Sequence, residues 1–213
     1  MSLDQLHQPP LMPHLLVEGL NRYNDEPCLY LGDKVASYKD VREQTSQLVQ
    51  ALQSKGLGKG SRVAIISANR PEVLSNIAAM QLTGCIGTPL HPLGSLDDHA
   101  YVLEAAEIET LVFDASVFSE IAAALKARVP GLKNLLGFGP NEVGDDYLAI
   151  AESFSPKPLV APEVSAGDIA SVNFTGGTTG KPKGVMSTHR VSAYMTQIQM
   201  AEWEFPDELR MLM

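Results

Sequence analysis

Cysteine is scarce: Cys28 and Cys85 are the only two in 213 residues, far apart and in apolar or turn-like surroundings. That excludes a disulfide framework, suits a reducing compartment, and offers no catalytic thiol. Long apolar runs are missing too. No stretch approaches the roughly 20 residues needed to cross a bilayer, and residues 1–13 lack a basic segment leading into an apolar one, so neither a transmembrane segment nor a leader is expected. A cytoplasmic location is the resulting expectation. Basic residues are in deficit, 16 against 25 acidic, for a formal charge of −9. Such a surplus repels polyanions, so no nucleic-acid partner is expected. One stretch reverses the sign. From 169 to 201 there is no Asp or Glu, while Lys181, Lys183 and Arg190 add +3, which leaves −12 on the remainder (−9 less +3). A small anion could be held there. With 45% hydrophobic residues, the chain can bury one sizeable core or two modest ones, as a globular protein does.

After a lead-in containing Pro9, Pro10 and Pro13, the first clear helix spans about 40–55. Val41, Thr45, Leu48 and Leu52 share one face, and Gly56 stands where a left-handed cap is needed. Residues 62–68 read as a strand buried on both faces. A helix follows from Pro71, which suits a first helical position, and stops before Gly84. The alternation continues with a strand at 86–89, a helix capped by Ser95 with Asp98 three residues on, a strand at 110–114 and a helix from 116 to 128. This predicts an α/β fold, a largely parallel β-sheet flanked by helices. Between 137 and 167 the periodicity fails, and Pro140, Pro156, Pro158 and Pro162 mark an extended connection that could lead to a second sheet. Strands at 168–174 and 183–188 and a helix at 191–203 follow. Residues 209–213 read as a strand interrupted as it begins, so a fragment of a longer protein is expected. The division is thus a βαβ unit at 1–136, a connection at 137–167, and a pair of strands with a helix at 168–213.

Four of the 17 glycines fall between Gly176 and Gly184, interleaved with Thr175, Thr178, Thr179, Lys181 and Lys183. Glycine lets backbone N–H groups turn toward an anion, hydroxyls add donors, and lysine adds a mobile charge. The combination suits the terminal phosphates of a nucleotide. It is not a Walker A loop, since Thr175 and Pro182 stand where Gly and Ser or Thr are required. Nor is Gly137-Phe138-Gly139 a dinucleotide fingerprint, because Glu142 takes the place of the third glycine.

The run Phe174-Thr-Gly-Gly-Thr-Thr-Gly-Lys-Pro-Lys-Gly-Val185, followed by Ser187-Thr188-His189-Arg190, resembles the signature of the adenylate-forming superfamily, which includes acyl-CoA synthetases, peptide-synthetase adenylation domains and luciferases. Gly176 departs from the commonest pattern, which has Ser there, and is similar to a variant among fatty-acyl-CoA ligases. Residues 35–51 and 80–92 resemble two earlier motifs of the same family, in the family's order. The resemblance implies the first part of the large N-terminal domain of an acyl-CoA synthetase-like fold. It implies a two-step reaction: Mg2+-ATP and a carboxylic acid, a fatty acid by the subtype, give an acyl-adenylate and pyrophosphate, and the acyl group then passes to coenzyme A. By position, Thr175, Thr178 and Thr179 are the hydroxyl donors, Gly176, Gly177 and Gly180 the backbone cradle, and Lys183 the charge. The family's catalytic residues lie in later motifs, expected downstream of Met213, so this stretch alone should be inactive and holds no metal ligand. A homodimer stays open as an assembly. Two other readings also remain: a noncatalytic nucleotide- or phosphate-binding module, and a peptide-synthetase adenylation domain.

Plainer roles suit the neighbouring residues. Lys181 reads as a solvated surface lysine, and His189 and Arg190 as satisfying local backbone groups. His91 and His99 read as loop and helix-surface residues, and Met186, Met195 and Met200 as core packing. Asp97 and Asp98 favour a helix N-terminus.

Overall fold

In the computed structural model, which describes residues 9–176 and 181–205, the alternating pattern becomes a seven-stranded sheet. A helix and a two-stranded hairpin come first in the chain. Helix α1 (Met12–Arg22) places Pro13 in its first turn, where no N–H is needed. Strands β1 (Pro27–Leu31) and β2 (Lys34–Ser37) form an antiparallel hairpin. The Pro-containing lead-in and the residues after it thus hold regular structure not expected above: β1 and β2 are short and largely exposed, while α1 is amphipathic and buries Pro13 and Leu20.

Helix α2 (Tyr38–Ser54) begins two residues earlier than the pattern indicated. Ser37 accepts from the Asp40 N–H at 3.1 Å, and the Asp40 carboxylate accepts from the Ser37 N–H at 2.8 Å, a reciprocal cap. Val41, Thr45, Leu48 and Leu52 are buried together as expected. Then come β3 (Arg62–Ile66), α3 (Pro71–Thr83), β4 (Ile86–Pro89), α4 (Leu96–Ala105), β5 (Thr110–Asp114) and α5 (Ala115–Arg128). Gly56 and Gly84 follow α2 and α3 with φ of 73° and 72°, the left-handed region that lets a helix end by folding its last N–H groups back.

The stretch 137–167 differs most from expectation. Strand β6 (Asn134–Phe138), the short β7 (Asp145–Asp146) and helix α6 (Tyr147–Glu152) continue the sheet and its cover, and an irregular, extended course is confined to 155–165. Glycines at 137, 139 and 144 interrupt the apolar run there, which hid the strand. Among the described residues no second sheet follows. Strand β8 (Ile169–Thr175) joins the same sheet beside β4, parallel to it through Gly87 and Ser171, and β9 (Lys183–Thr188) pairs antiparallel with β8. Helix α7 (His189–Glu202) starts directly from β9 under a Thr188 cap. The strand expected at 209–213 lies outside the described residues.

The sheet order is β7-β6-β5-β3-β4-β8-β9, with every neighbouring pair parallel except the last. Helices α4 and α5 cover one face over a core that includes Ala64, Ile66, Leu103, Leu111, Phe113 and Leu125. Helices α2, α3 and α6 cover the other over Leu48, Leu52, Val63, Ile65, Val112 and Tyr147. Alternate residues of β3 therefore point to opposite cores, which is why the strand is apolar throughout. Because β3, β4, β5, β6 and β8 run in one direction, their carboxyl ends meet along one rim.

Candidate functional site

Open parallel sheets take ligands at the carboxyl ends of their strands, foremost where successive crossovers diverge. Here that divergence lies between β3 and β5, and side chains fill it. Arg70, just past β3, pairs with Asp114 at 2.9 Å and with Glu72 at 2.9 Å, donates to the Phe138 carbonyl at 3.3 Å, and lies over the Phe138 ring at 5.4 Å. Asp114 is buried and also accepts from the Ser116 N–H. The guanidinium holds the Glu72 carboxyl below the usual range, against the opposing effect of burial. This cluster joins three strand ends and closes the crevice. Nothing in the local sequence marks it, since its members lie up to 68 residues apart.

The rim stays open farther along, at the exit of β8. Thr175 is the last residue of β8 and faces Lys183, the first of β9, across an antiparallel pair. Both are exposed, and the Thr175 hydroxyl donates to the Lys183 carbonyl at 3.5 Å, a long contact that leaves its oxygen available. Gly176 is exposed, and a Cβ built there would meet nothing within 4 Å. Of the expected site residues, Thr175, Gly176 and Lys183 are therefore together at one strand end, facing solvent. Gly177, Thr178, Thr179 and Gly180 lie outside the described residues.

The feet of this hairpin are braced from α4. Tyr101 is half-buried on that helix, and its hydroxyl donates to the Pro182 carbonyl at 3.2 Å. Its ring meets Phe174 edge-on at 6.4 Å between centroids, and the Lys181 ammonium sits 5.1 Å above it. Lys181 is thus exposed as expected, yet docked on an aromatic face rather than merely solvated. Phe174 in turn lies across Gly184, its partner in register, where a Cβ would come within 3.1 Å of Cζ. Beside Tyr101 opens a cleft of about 500 Å3 lined by Asp97, Asp98, Glu104, Arg128, Lys181 and Pro182, with Asp97 paired to Arg128. Asp98 belongs to the Ser95 cap, whose donors hold its carboxyl below the usual range.

Several plainer expectations change. His99 is 2% exposed, not a surface residue: it is buried on α4 together with Ala100, Val102 and Leu103. His189 is fully buried, and its backbone N–H donates to the Asp168 carbonyl at 3.0 Å. Neither of its ring nitrogens has a hydrogen-bond partner among the described residues, so the side chain itself satisfies no backbone group. Arg190 is exposed, its N–H bonded to the Ala166 carbonyl. Met186, Met195 and Met200 are 66%, 52% and 68% exposed, and no core covers them among the described residues. His91 is exposed in the loop before α4, as expected. Among the described residues no group of three or more His, Cys, Asp or Glu could hold a metal ion, and no helix is long and apolar enough to cross a membrane.

An anion carrying several charges fits what is described at this hairpin: the exposed Thr175 and Gly176, two lysines, and no carboxylate from 169 to 201. Comparison with known proteins points the same way. The family model described as AMP-binding enzyme matches residues 16–213. A medium/long-chain-fatty-acid–CoA ligase, FadD8, of Mycobacterium tuberculosis is 44% identical over 218 residues, a match that takes in all of this chain and 38% of that protein. Surfactin synthase subunit 1 of Bacillus subtilis is 27% identical over 84% of this chain and 4% of its own length. Among solved structures, the anthranilate CoA ligase AuaEII with anthranoyl-AMP superposes with a TM-score of 0.83 at 20% identity, over 95% of this chain and 39% of that one. The chain spans well under half the length of each.

Proposed function

Because the chain belongs to the family of AMP-binding enzymes, we propose that it is the N-terminal part of an ATP-dependent acyl-CoA ligase. The complete enzyme activates a carboxylic acid, in this reading a fatty acid, as its adenylate with release of pyrophosphate, and then forms the thioester with coenzyme A. The observation that carries the reading is the acid-free hairpin at the carboxyl end of β8, with Thr175, Gly176 and Lys183 exposed together. In this assignment Thr175, Gly176, Gly177, Thr178, Thr179, Gly180 and Lys183 hold the β- and γ-phosphates of ATP. Magnesium would arrive with the nucleotide and supply charge neutralisation, and no side chain of this chain is assigned to hold it. Negative charge gathers on departing pyrophosphate as the carboxylate attacks the α-phosphorus. Donors and a cation already in place therefore stabilise the transition state more than the ground state. The fatty-acid assignment draws support from the 44% identity to a fatty-acid–CoA ligase. The 27% identity to surfactin synthase subunit 1 keeps a peptide-synthetase adenylation role as the second reading.

Acid-dependent ATP–pyrophosphate exchange by the complete gene product tests this, across fatty, aromatic and amino acids. Exchange with medium- or long-chain fatty acids is expected; exchange with amino acids alone selects the second reading, and no exchange with any acid refutes both. Lys183→Ala should slow exchange by about 2–4 kcal/mol of barrier, as loss of one transition-state donor does in other enzymes. Unchanged turnover would remove Lys183 from the assignment.

A further inference from the structure

We propose that Tyr101 of α4 is a positioning residue for the phosphate loop: it fixes both feet of the β8–β9 hairpin and so sets where Thr175 and Lys183 stand. The proposal rests on the phosphate-loop assignment above. Its basis is a chain of contacts that no motif contains. On the departing strand, Phe174 packs against the Tyr101 ring edge-on, 6.4 Å between centroids, while its other side is admitted by the missing side chain of Gly184. On the returning segment, the Tyr101 hydroxyl donates to the Pro182 carbonyl at 3.2 Å, and the Lys181 ammonium lies 5.1 Å from the ring centroid. One side chain thus grips both ends of residues 175–182, from the helix that follows the neighbouring strand β4.

Geometry at the anchor makes this more than packing. Tyr101 and Phe174 both rest against the core beneath α4 and α5, so their rings are held by a rigid body. The Pro182 carbonyl lies in the same planar peptide unit as the Lys183 N–H, one residue before the charge that the loop presents. A hydrogen bond at that carbonyl therefore orients the residue whose charge the loop presents. Lys181, lying on the ring, is held to one side of the loop. Donors misplaced by even a fraction of an ångström lose much of their value in a phosphate site, where the gain comes from preorganisation.

The test measures pyrophosphate exchange by the complete gene product with its best acid, and follows KM for MgATP, KM for the acid and kcat in Tyr101→Phe, Tyr101→Leu and Lys183→Ala. Tyr101→Phe removes one neutral hydrogen bond and should raise KM for MgATP about two- to tenfold, with KM for the acid unchanged within twofold. Tyr101→Leu should raise it further and lower kcat, so that restoring the ring in Tyr101→Phe recovers part of the loss. If Tyr101→Leu fails to fold, Tyr101→Phe together with Lys181→Met decides. Impairment by Lys183→Ala with wild-type KM for MgATP in both Tyr101 variants would overturn the positioning role and leave the loop assignment standing. Equal rises in both KM values would overturn it as well, marking a general loosening of the fold. Wild-type behaviour of all three variants would instead sink the loop assignment and this proposal with it.

Discussion

Arg70 shows how a single side chain organises a rim that the sequence leaves blank. Its guanidinium satisfies Asp114, which is buried at the end of β5, and shares Glu72 and the Phe138 carbonyl. Removing one partner of a buried pair leaves a charge without compensation, at a cost of about 3–5 kcal/mol. Arg70→Met should therefore lower unfolding stability by about 3 kcal/mol, the low end of that range, because the Ser116 N–H and hydroxyl still bond Asp114. Urea unfolding of the variant checks this, and a loss below about 1 kcal/mol would mean that Asp114 is far better solvated than its burial indicates. Phe174 and Gly184 teach a similar lesson within the hairpin. Both belong to the recognisable motif, yet their steric relation to each other and to Tyr101 became visible only once β8, β9 and α4 were placed side by side.

Helices and strands were legible where one local rule spoke clearly. Pro71 and Gly84 bracket α3, Ser95 and Asp98 open α4, and β4, β5 and β9 run over the expected residues. For α3 and α4 a proline, a glycine or a cap states the boundary without help from the rest of the chain, and the short strands lie between such signals. Failures came where stability is supplied by tertiary contact. Strand β6 carries a glycine at position 137, and α6 has six residues, too few for a period to show; its Tyr147 is nonetheless fully buried and donates to Asn76 Oδ1 at 3.1 Å. Of the candidate site, Thr175, Gly176 and Lys183 were readable as neighbours in one loop motif, and the external brace was not, since Tyr101 stands 81 residues from Pro182. Element ends also make quantitative claims. A Cβ at Gly84 would adopt φ of 72° and lie 3.2 Å from both Lys59 Cα and Val164 Cγ1. Gly84→Ala should cost about 1–2 kcal/mol from the left-handed backbone, and crowding adds to that, so its melting temperature should fall by several degrees. An unchanged melting temperature would show that the turn after α3 reorganises freely.

At the level of the molecule, ionisation on the acid side of neutrality couples the fold to pH with one sign. Burial lowers the folded pKa of His99 and His189 from 6.5; Asp98 partly offsets this at His99 and Asp168 does so at His189, while His91 at the first and Lys59 and His14 at the second lower it further. The unfolded chain therefore binds these protons more readily, and stability present above pH 6.5 is lost as pH falls below it. Asp40, Asp98, Asp168 and Glu72 also have lowered values, from 3.8 for the aspartates and 4.5 for the glutamate, so a second loss follows at lower pH. Melting curves should thus shift downward from pH 7.5 to 5.5 and again below about 4, with the first shift reduced in His99→Gln. A melting temperature that climbs on acidification to pH 5.5 would contradict the burial of both imidazoles.

Strand β9 is the last of the described strands on its side of the sheet, with Val185 and Met186 turned to solvent and the apolar residues Val191, Tyr194, Met195 and Ile198 of α7 exposed after it. Backbone N–H and C=O groups along such a border are a template for another extended segment, and the apolar side chains around it reward the encounter. Handled by itself, this polypeptide should consequently be sticky at high concentration, its colloidal behaviour governed by that border rather than by its net negative charge.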